Sequence, residues 1–508
     1  MLRTWYIVHI KKIAYASRLK VFVHMFFLHV KIYEAMFIFM RATLLSNLQC
    51  TRCGKNLDAY PPKSHCPICG GLVEYVIDAE KVGEIKFTGE FSFWRYRPLL
   101  PKVKNVATMR EGGTPLYKAE RLSRNFELST LYLKDETRNP TNSFRDRSAA
   151  LMVSNILDLN MTTAICATNG NMGASLAAYC AKYGINCHVI IPKIVDMGKL
   201  AQMLVYDAII EEHGETVDES IRRAELLAEE TGWYQATPEL NPLVIEAQKT
   251  IAFEVAEQFG VPDWFIVSMG SGGTAYSVWK GFNELYDLNK INALPKILGV
   301  QAEGCSPIVD AYLTAEGDIE KPSTHAIGIL VAKPLQKELA LNAIKSSKGL
   351  ALSVSDQEIF AAEQSIARLE GIFAEPASSG TIAALKKARE ESIIDKDESV
   401  ICLITGSGLK ATDVLQALSK KRKSAMLGAE FSTKEKILRL LSERDRYGYE
   451  IWKDLRKTMT RSAIYQHLNE LYSRGMLTSY IEEGKKYFKI TDRGKRVLKA
   501  IDEVKALL

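Results

Sequence analysis

Four cysteines in two close pairs, Cys50-x2-Cys53 and Cys66-x2-Cys69, carry the most specific chemistry in the sequence. Each pair is followed by a glycine, Gly54 or Gly70, which lets the backbone turn tightly around a metal. Four thiolates so arranged match tetrahedral zinc in a closed structural site with no open position for catalysis. The alternatives are iron, or redox or unrelated cysteines. The other five cysteines of the nine lie in apolar or Gly-rich runs and read as core thiols. That usage suits a reducing, cytoplasmic setting rather than a disulfide framework.

A second chemical feature is the run Gly270, Ser271, Gly272, Gly273, Thr274. It follows an apolar stretch, Trp264 to Ser268, and precedes a helical pattern from Ala275 to Tyr286. Small residues let backbone N–H groups approach an anion, and a helix N-terminus adds a favourable dipole. The run therefore predicts a phosphate site, with a tight turn as the alternative. The elements that must hold it are parallel βαβ units. Short β-branched runs (His188 to Pro192, Trp264 to Ser268, Ser399 to Thr405) alternate with longer helical patterns. This implies an α/β body with parallel sheets covered by helices. In such sheets ligands collect at the carboxyl ends of the strands.

With 508 residues and 47% hydrophobic content, the chain has room for several globular domains. Four regions are expected: an N-terminal segment 1–45, a cysteine ribbon 46–78, the α/β body 85–419 and a C-terminal module 430–508. In the first, Lys20, Lys31, Glu34 and Arg41 interrupt the apolar runs, so none reaches the ~18–20 residues that span a bilayer. No membrane association is expected there. The segment reads as upstream of the true start, at Met36 or Met40. From Lys421 onward 21 Lys/Arg face 12 Asp/Glu, whereas the whole chain is only +6. Only this tail is suited to a polyanion.

The C-terminal module reads as three short helices and a hairpin. Ile437, Leu440 and Leu441 mark the first helix, Ile451 and Leu455 the second, and Ile464, Leu468 and Leu471 the third, capped by Thr460 or Ser462. Two strand-like runs flank a turn at Gly484. This pattern with a basic tip is a winged helix-turn-helix, whose third helix would enter the major groove of double-stranded DNA. Arg461, Tyr465, Gln466 and Asn469 are its outward polar positions, and Lys485 and Lys486 sit at the wing tip. The module is similar to PadR-like regulators through Tyr447 to Ile451, Ala463 to Leu471 and Tyr487 to Gly494. Paired winged helices imply a homodimer; protein contacts alone are the alternative role.

The body carries KDETRNPTNSFRDR, Lys134 to Arg147. Together with FWRYRPLLP, EGGTPL, ATNGNMGASLAAYCA, GSGGT, EGIFAEPASSG and TGSGLK, in that order, it resembles the threonine synthase family of fold-type II pyridoxal phosphate (PLP) enzymes. The resemblance implies a tryptophan-synthase-β-like two-domain body and an N-terminal zinc ribbon. It also implies that Phe144 stacks near the cofactor ring, Asn171 bonds its 3′-oxygen, Thr405 faces its ring nitrogen, and Gly270 to Thr274 hold its phosphate. Thr168, Asn169 and Asn241 would bind substrate.

Departures from the family pattern cluster where chemistry happens. Arg145 stands where the family has the lysine that forms the imine with PLP. That bond needs a neutral amine, and a guanidinium stays protonated. Val244 stands where an arginine would clamp the phosphate of O-phosphohomoserine. Asn142, Ala247, Asn169, Ser407 and Ala411 replace a glycine, a glycine, a Ser/Thr, a His and an Asp. Lys134, Lys199 and Lys249 are the lysines that could substitute. Arg145 would pair with a cofactor phosphate or ligand carboxylate, or else with Asp146 or another carboxylate. The expectation is a retired enzyme that senses a small molecule, an amino acid or phosphorylated metabolite, with zinc and non-covalent PLP as cofactors, and regulates transcription. The alternatives are a working PLP lyase with an attached DNA-binding module, and an oligomerisation scaffold with neither activity.

Overall fold

The computed structural model describes residues 46–58, 63–77, 85–314, 319, 321–411, 433–455 and 460–506. The segment 1–45 and the basic linker therefore lie outside the described residues. The chain forms two compact units that divide between Thr412 and Asp413.

The first unit contains the ribbon and the body. Strand Ser46–Cys50 pairs antiparallel with Asn56–Leu57 and Val73–Ile77. This small sheet is tied to the body by Glu74, which accepts hydrogen bonds from Tyr276 Oη at 2.7 Å and Lys280 Nζ at 3.0 Å. Both donors lie on the helix Gly273–Asp287. The ribbon thus braces the helix that follows the Gly-rich run.

The body has two sheets. The larger runs, in spatial order, Leu350–Val354, Lys296–Ala302, Trp264–Ser268, Ser399–Ile404, Thr130–Asp135 and Leu116–Lys118. Its first five strands are parallel and the last is antiparallel. The smaller sheet orders Ile209–Glu212, Asn186–Ile191, Thr163–Ala167 and Tyr234–Gln235, all parallel. WFIVS is buried at every position, as a central strand with helices on both faces should be. Separate apolar clusters fill the two halves, one around Ala149 to Val153 and Ala174 to Cys180, the other around Ile266, Leu298 and Ile404.

The second unit is a three-stranded antiparallel sheet, Arg446–Tyr447, Lys485–Ile490 and Leu477–Glu482, with helices over 433–443, Gly448–Asp454, Arg461–Ser473 and Asp492–Ala506. Ile437, Ile451, Ile464, Leu468 and Phe488 form its core. The helix Asp492–Ala506 exceeds the three helices expected; its partly buried Val497 and Leu498 pack on the same core. Thr460 is the N-cap of the third helix, accepting from Ala463 N at 3.3 Å. Glu483 and Gly484, with φ of 49° and 74°, make the two-residue turn between Glu482 and Lys485. Two positive φ values match the right-handed twist of a tight hairpin.

Candidate functional site

The Gly-rich run emerges from strand Trp264–Ser268 and opens the helix Gly273–Asp287. Gly272 has φ of 98°, and a Cβ on Gly273 would stand 2.0 Å from Gln336 Oε1. At Gly272 that conformation, and a Cβ that would stand 2.7 Å from Ala340 Cβ and 3.0 Å from Gln336 O, favour glycine. Strand Thr163–Ala167 delivers Thr168, Asn169 and Asn171, and strand Ser399–Ile404 delivers Thr405. These strand ends, from both sheets, surround one cleft.

Arg145 is the first residue of the helix Arg145–Asp158 and lines this cleft beside Phe144. The approach is pinned by Phe144 N donating to Thr405 O at 2.9 Å and Ser407 N donating to Asn142 O at 3.1 Å. Asn142 has φ of 60°, a left-handed conformation that asparagine tolerates, which accounts for a residue other than glycine there. Deeper along the same helix, Arg147 is fully buried and bridges Glu136 and Glu254 at 2.7 and 2.5 Å. Lys134 completes this network on Glu254 at 2.6 Å. The signature therefore holds one arginine rigidly in the core and presents another to the cleft.

The guanidinium of Arg145 lies 4.7 Å from the centroid of the Phe144 ring. It has no ion-pair partner among the described residues. The expected pairing with Asp146 does not form: Asp146 instead accepts from Thr141 N and Thr141 Oγ1, both at 2.6 Å. Burial pulls the Arg145 guanidinium below its ordinary value, while Glu239 and Glu375 act in the opposite sense; it stays charged. A cation opening a helix also opposes the helix dipole. Both facts favour a neighbouring anion.

Opposite charge is close by. Glu375 lines the cleft and accepts from Asn171 Nδ2 at 3.0 Å, from Thr405 Oγ1 at 3.3 Å and from Lys199 Nζ at 3.2 Å. Burial raises its pKa, but Lys199, Asn171 and Lys410 outweigh that and hold the carboxyl below its usual range. Lys410 donates to Thr141 O at 2.8 Å, and burial pushes its amine down to about 8. Of the substitute lysines, Lys134 and Lys249 are locked in buried ion pairs, with Glu254 and with Glu246 and Glu284. Lys199 alone contacts a residue of the cleft.

Among the other expected positions, Thr168, Asn169, Asn171, Thr405 and the Gly270–Thr274 run all line the cleft. Asn169 spends one donor on Ile327 O at 2.7 Å. Asn241 does not line the cleft: its amide bonds Tyr234 Oη and Gln235 O, and its carbonyl oxygen accepts from Leu243 N. It shapes its own turn, so the expected ligand contact is absent there. Val244 lines the wall as a nearly fully buried apolar residue. The sequence reading overlooked Glu239, whose carboxylate lines the cleft and accepts from Ser271 Oγ at 2.9 Å.

The four ribbon thiols lie within 4.8 Å of one another, with Cys50–Cys69 at 3.4 Å and Cys53–Cys66 at 3.8 Å. Those spacings suit the edges of a tetrahedron of Zn–S bonds of ~2.3 Å. Gly54 and Gly70 both take φ of 68°, as the turns after each pair require. Zinc therefore fits this site.

In the second unit, Arg461, Tyr465, Gln466 and Asn469 are all exposed on the helix Arg461–Ser473. Arg461 stacks over Tyr449 and Trp452 at 4.8 and 4.7 Å. Lys485 and Lys486, also exposed, lie over Tyr447 and Tyr472 at 5.0 and 5.4 Å. Three exposed cations of this unit are thus held against aromatic rings.

Two parallel-sheet halves meeting at a cleft, with a glycine cradle at one strand end, define the class: an α/β body of the PLP-dependent kind, carried with a winged helix. Comparison with known proteins agrees. The family model "Pyridoxal-phosphate dependent enzyme" matches residues 107–406, and "Transcriptional regulator PadR-like family" matches residues 437–500. A threonine synthase of Methanocaldococcus jannaschii is 40% identical over 407 residues, covering 77% of this chain and 99% of that protein. One of Mycobacterium tuberculosis is 39% identical over 322 residues, covering 63% and 88%. The chain belongs to the threonine synthase family of PLP-dependent enzymes and carries a C-terminal PadR-like domain. Two solved structures share the fold. A fungal L-serine ammonia-lyase from Rhizomucor miehei has TM-score 0.52 and 19% identity, covering 61% of this chain and 98% of that one. A threonine deaminase isoform 2 from Solanum lycopersicum has TM-score 0.50 and 23% identity, covering 58% and 83%.

The residues present fit PLP. The glycine cradle is open to the cleft, Thr405 offers its hydroxyl, and the Oδ1 of Asn171 is buried without a partner. Arg145 lines the same cleft beside Phe144. One face of Phe144 is taken by that guanidinium.

Proposed function

We propose that this chain is a DNA-binding regulator whose threonine-synthase-like body senses a small molecule and no longer performs imine-based turnover. One observation carries the reading: Arg145, which by resemblance stands where the family has its cofactor-bonding lysine, enters the cleft charged and without an ion-pair partner among the described residues. Gly270 to Thr274, Asn171 and Thr405 would hold PLP, which when bound supplies an electron sink for amino-acid chemistry. Without a lysine amine at position 145, this chain's contribution is to bind and orient: Arg145 and the cradle hold anionic groups, and the apolar wall at Val244 excludes water. The exposed cations of the winged unit, in register with two DNA half-sites in a homodimer, would take operator DNA. A ligand affects that binding only through unequal affinity for two conformations.

A second reading, a PLP-dependent lyase with an attached DNA-binding domain, is favoured by the buried amines of Lys199 and Lys410 beside Glu375. Borohydride reduction of the purified full chain, followed by peptide mass mapping, separates the two. The first reading expects no PLP fixed to any lysine. A reduced PLP adduct on Lys199 or Lys410 would establish the second. Salt-dependent retention on operator DNA checks the DNA-binding half independently.

A further inference from the structure

The cleft holds two opposite charges that do not satisfy each other. Arg145 has its side chain against Phe144, and Glu239 accepts from the Ser271 hydroxyl at 2.9 Å on Oε1. Each lies within electrostatic reach of the other, yet neither forms an ion pair among the described residues. Glu239 is half-buried and lines the cleft; burial pushes its carboxyl up, while Arg145 and the Ser271 hydroxyl act in the opposite sense. The other cleft carboxylate, Glu375, is already engaged by Asn171 and Lys199. An additional acceptor, Asn171 Oδ1, is buried without a donor. A desolvated charge without a partner is costly, so both charges favour a guest that brings the complementary pair.

From this geometry we infer that the cleft takes a free, unphosphorylated α-amino acid as its zwitterion, Arg145 meeting the carboxylate and Glu239 the ammonium group. A phosphate on the amino acid itself is disfavoured there. With the glycine cradle given to the phosphate of PLP, a second phosphate would add between one and two negative charges beside Glu239, and Val244 offers it no donor. Glu239 is thus a specificity determinant, created where the loop before Asn241 meets the Gly-rich run. The inference rests on the reading that this cleft is a ligand site, and it chooses between the two ligand classes which that reading allows.

The test is calorimetric titration of the full chain with each of the twenty L-amino acids and with O-phospho-L-homoserine. The best amino acid is then compared with its 2-hydroxy-acid counterpart, which keeps the carboxylate and lacks the ammonium. At least one amino acid should bind. The nearly isosteric Glu239→Gln should weaken it about tenfold or more, as loss of a charge-assisted contact does, and so should the hydroxy acid on the unaltered chain. Arg145→Met reads the other charge and should cost at least as much. The inference is overturned if no amino acid binds, if phosphohomoserine binds as tightly as the best amino acid, or if Glu239→Gln leaves affinity unchanged. Operator retention on the same samples keeps the two ideas apart. Amino-acid binding that leaves DNA retention unaltered refutes the regulatory reading and spares this one. DNA retention that answers only to a phosphorylated compound does the reverse.

Discussion

Replacing Glu254 with glutamine should destabilise the body severely, because its carboxylate is the shared anion of two buried cations. Glu254 Oε1 accepts from Arg147 Nη1 at 2.5 Å and from Gly113 N at 2.8 Å. Oε2 accepts from Lys134 Nζ at 2.6 Å, Arg147 Nη2 at 2.9 Å and Thr114 N at 3.1 Å. An amide turns one of these all-acceptor ends into a donor facing donors. It also leaves Lys134 and Arg147 with only Glu136 as a buried counter-charge. Breaking a buried pair of this kind costs about 3–5 kcal/mol. At roughly 2–4 °C per kcal/mol for a domain of this size, the melting temperature should fall by about 6–20 °C. The pH dependence has a definite sign. Burial raises the Glu254 pKa, but Arg147 and Lys134 more than offset it and hold the folded value far below the ordinary carboxyl. A depressed acid contributes stability above its unfolded pKa of about 4.3 and loses it as pH falls toward the folded value. The gap between wild type and Glu254→Gln should therefore narrow in acid. Scanning calorimetry of both chains between pH 7 and pH 3 measures this. A shift under about 2 °C at pH 7 would show that the network is not stabilising as argued. Because Arg147 lies two residues beyond Arg145 on one helix, a loosened network should also blur the cleft.

Three further outcomes are expected. Arg145→Lys alone should not yield phosphohomoserine turnover, since Val244 and Glu239 remain in the cleft; robust phosphate release by that variant would contradict the reading. Lys485→Ala should weaken operator binding and lower the slope of log K against log salt by about 1, as loss of one phosphate contact does, seen by filter retention at several salt concentrations. Purified chain should carry one zinc by elemental analysis, and chelation should lower the melting temperature of the body, because the ribbon's Glu74 is tied to Tyr276 and Lys280 on the cradle helix. An unchanged melt after complete zinc removal would show that the ribbon does not brace that helix.

What the sequence makes legible, and what it hides, follows from range. The thiol pairs and the Gly-rich run are local: short spacing and small residues dictate tight turns whatever surrounds them, and both are found as expected. The parallel strands are legible for the same reason, since burial on both faces writes a continuous apolar run. The helix Asp492–Ala506 was missed because only a few apolar positions, such as Val497 and Leu498, interrupt a charged stretch. Charge partners are another matter. Asp146 adjoins Arg145 in sequence, yet Thr141 captures it, because neighbours on a helix point apart. Asn241 lies in a family-like motif, yet its amide is used up by Tyr234 and Gln235.

Glu239 is the instructive case. Nothing in TPELNP marks its carboxylate as part of a binding wall; it acquires that place only when Ser271, thirty-two residues on, is brought against it. The departures that the family resemblance implies, arginine for lysine at 145 and valine for arginine at 244, could by themselves describe a decayed site. A decayed site has no reason to hold its charges apart. Here Arg145 and Glu239 line one cleft, neither in an ion pair among the described residues, together with a glycine cradle and an Asn171 oxygen buried without a partner. That arrangement costs folding energy unless a ligand returns it, which supports the proposed reading of the cleft as a receptor over that of a decayed enzyme.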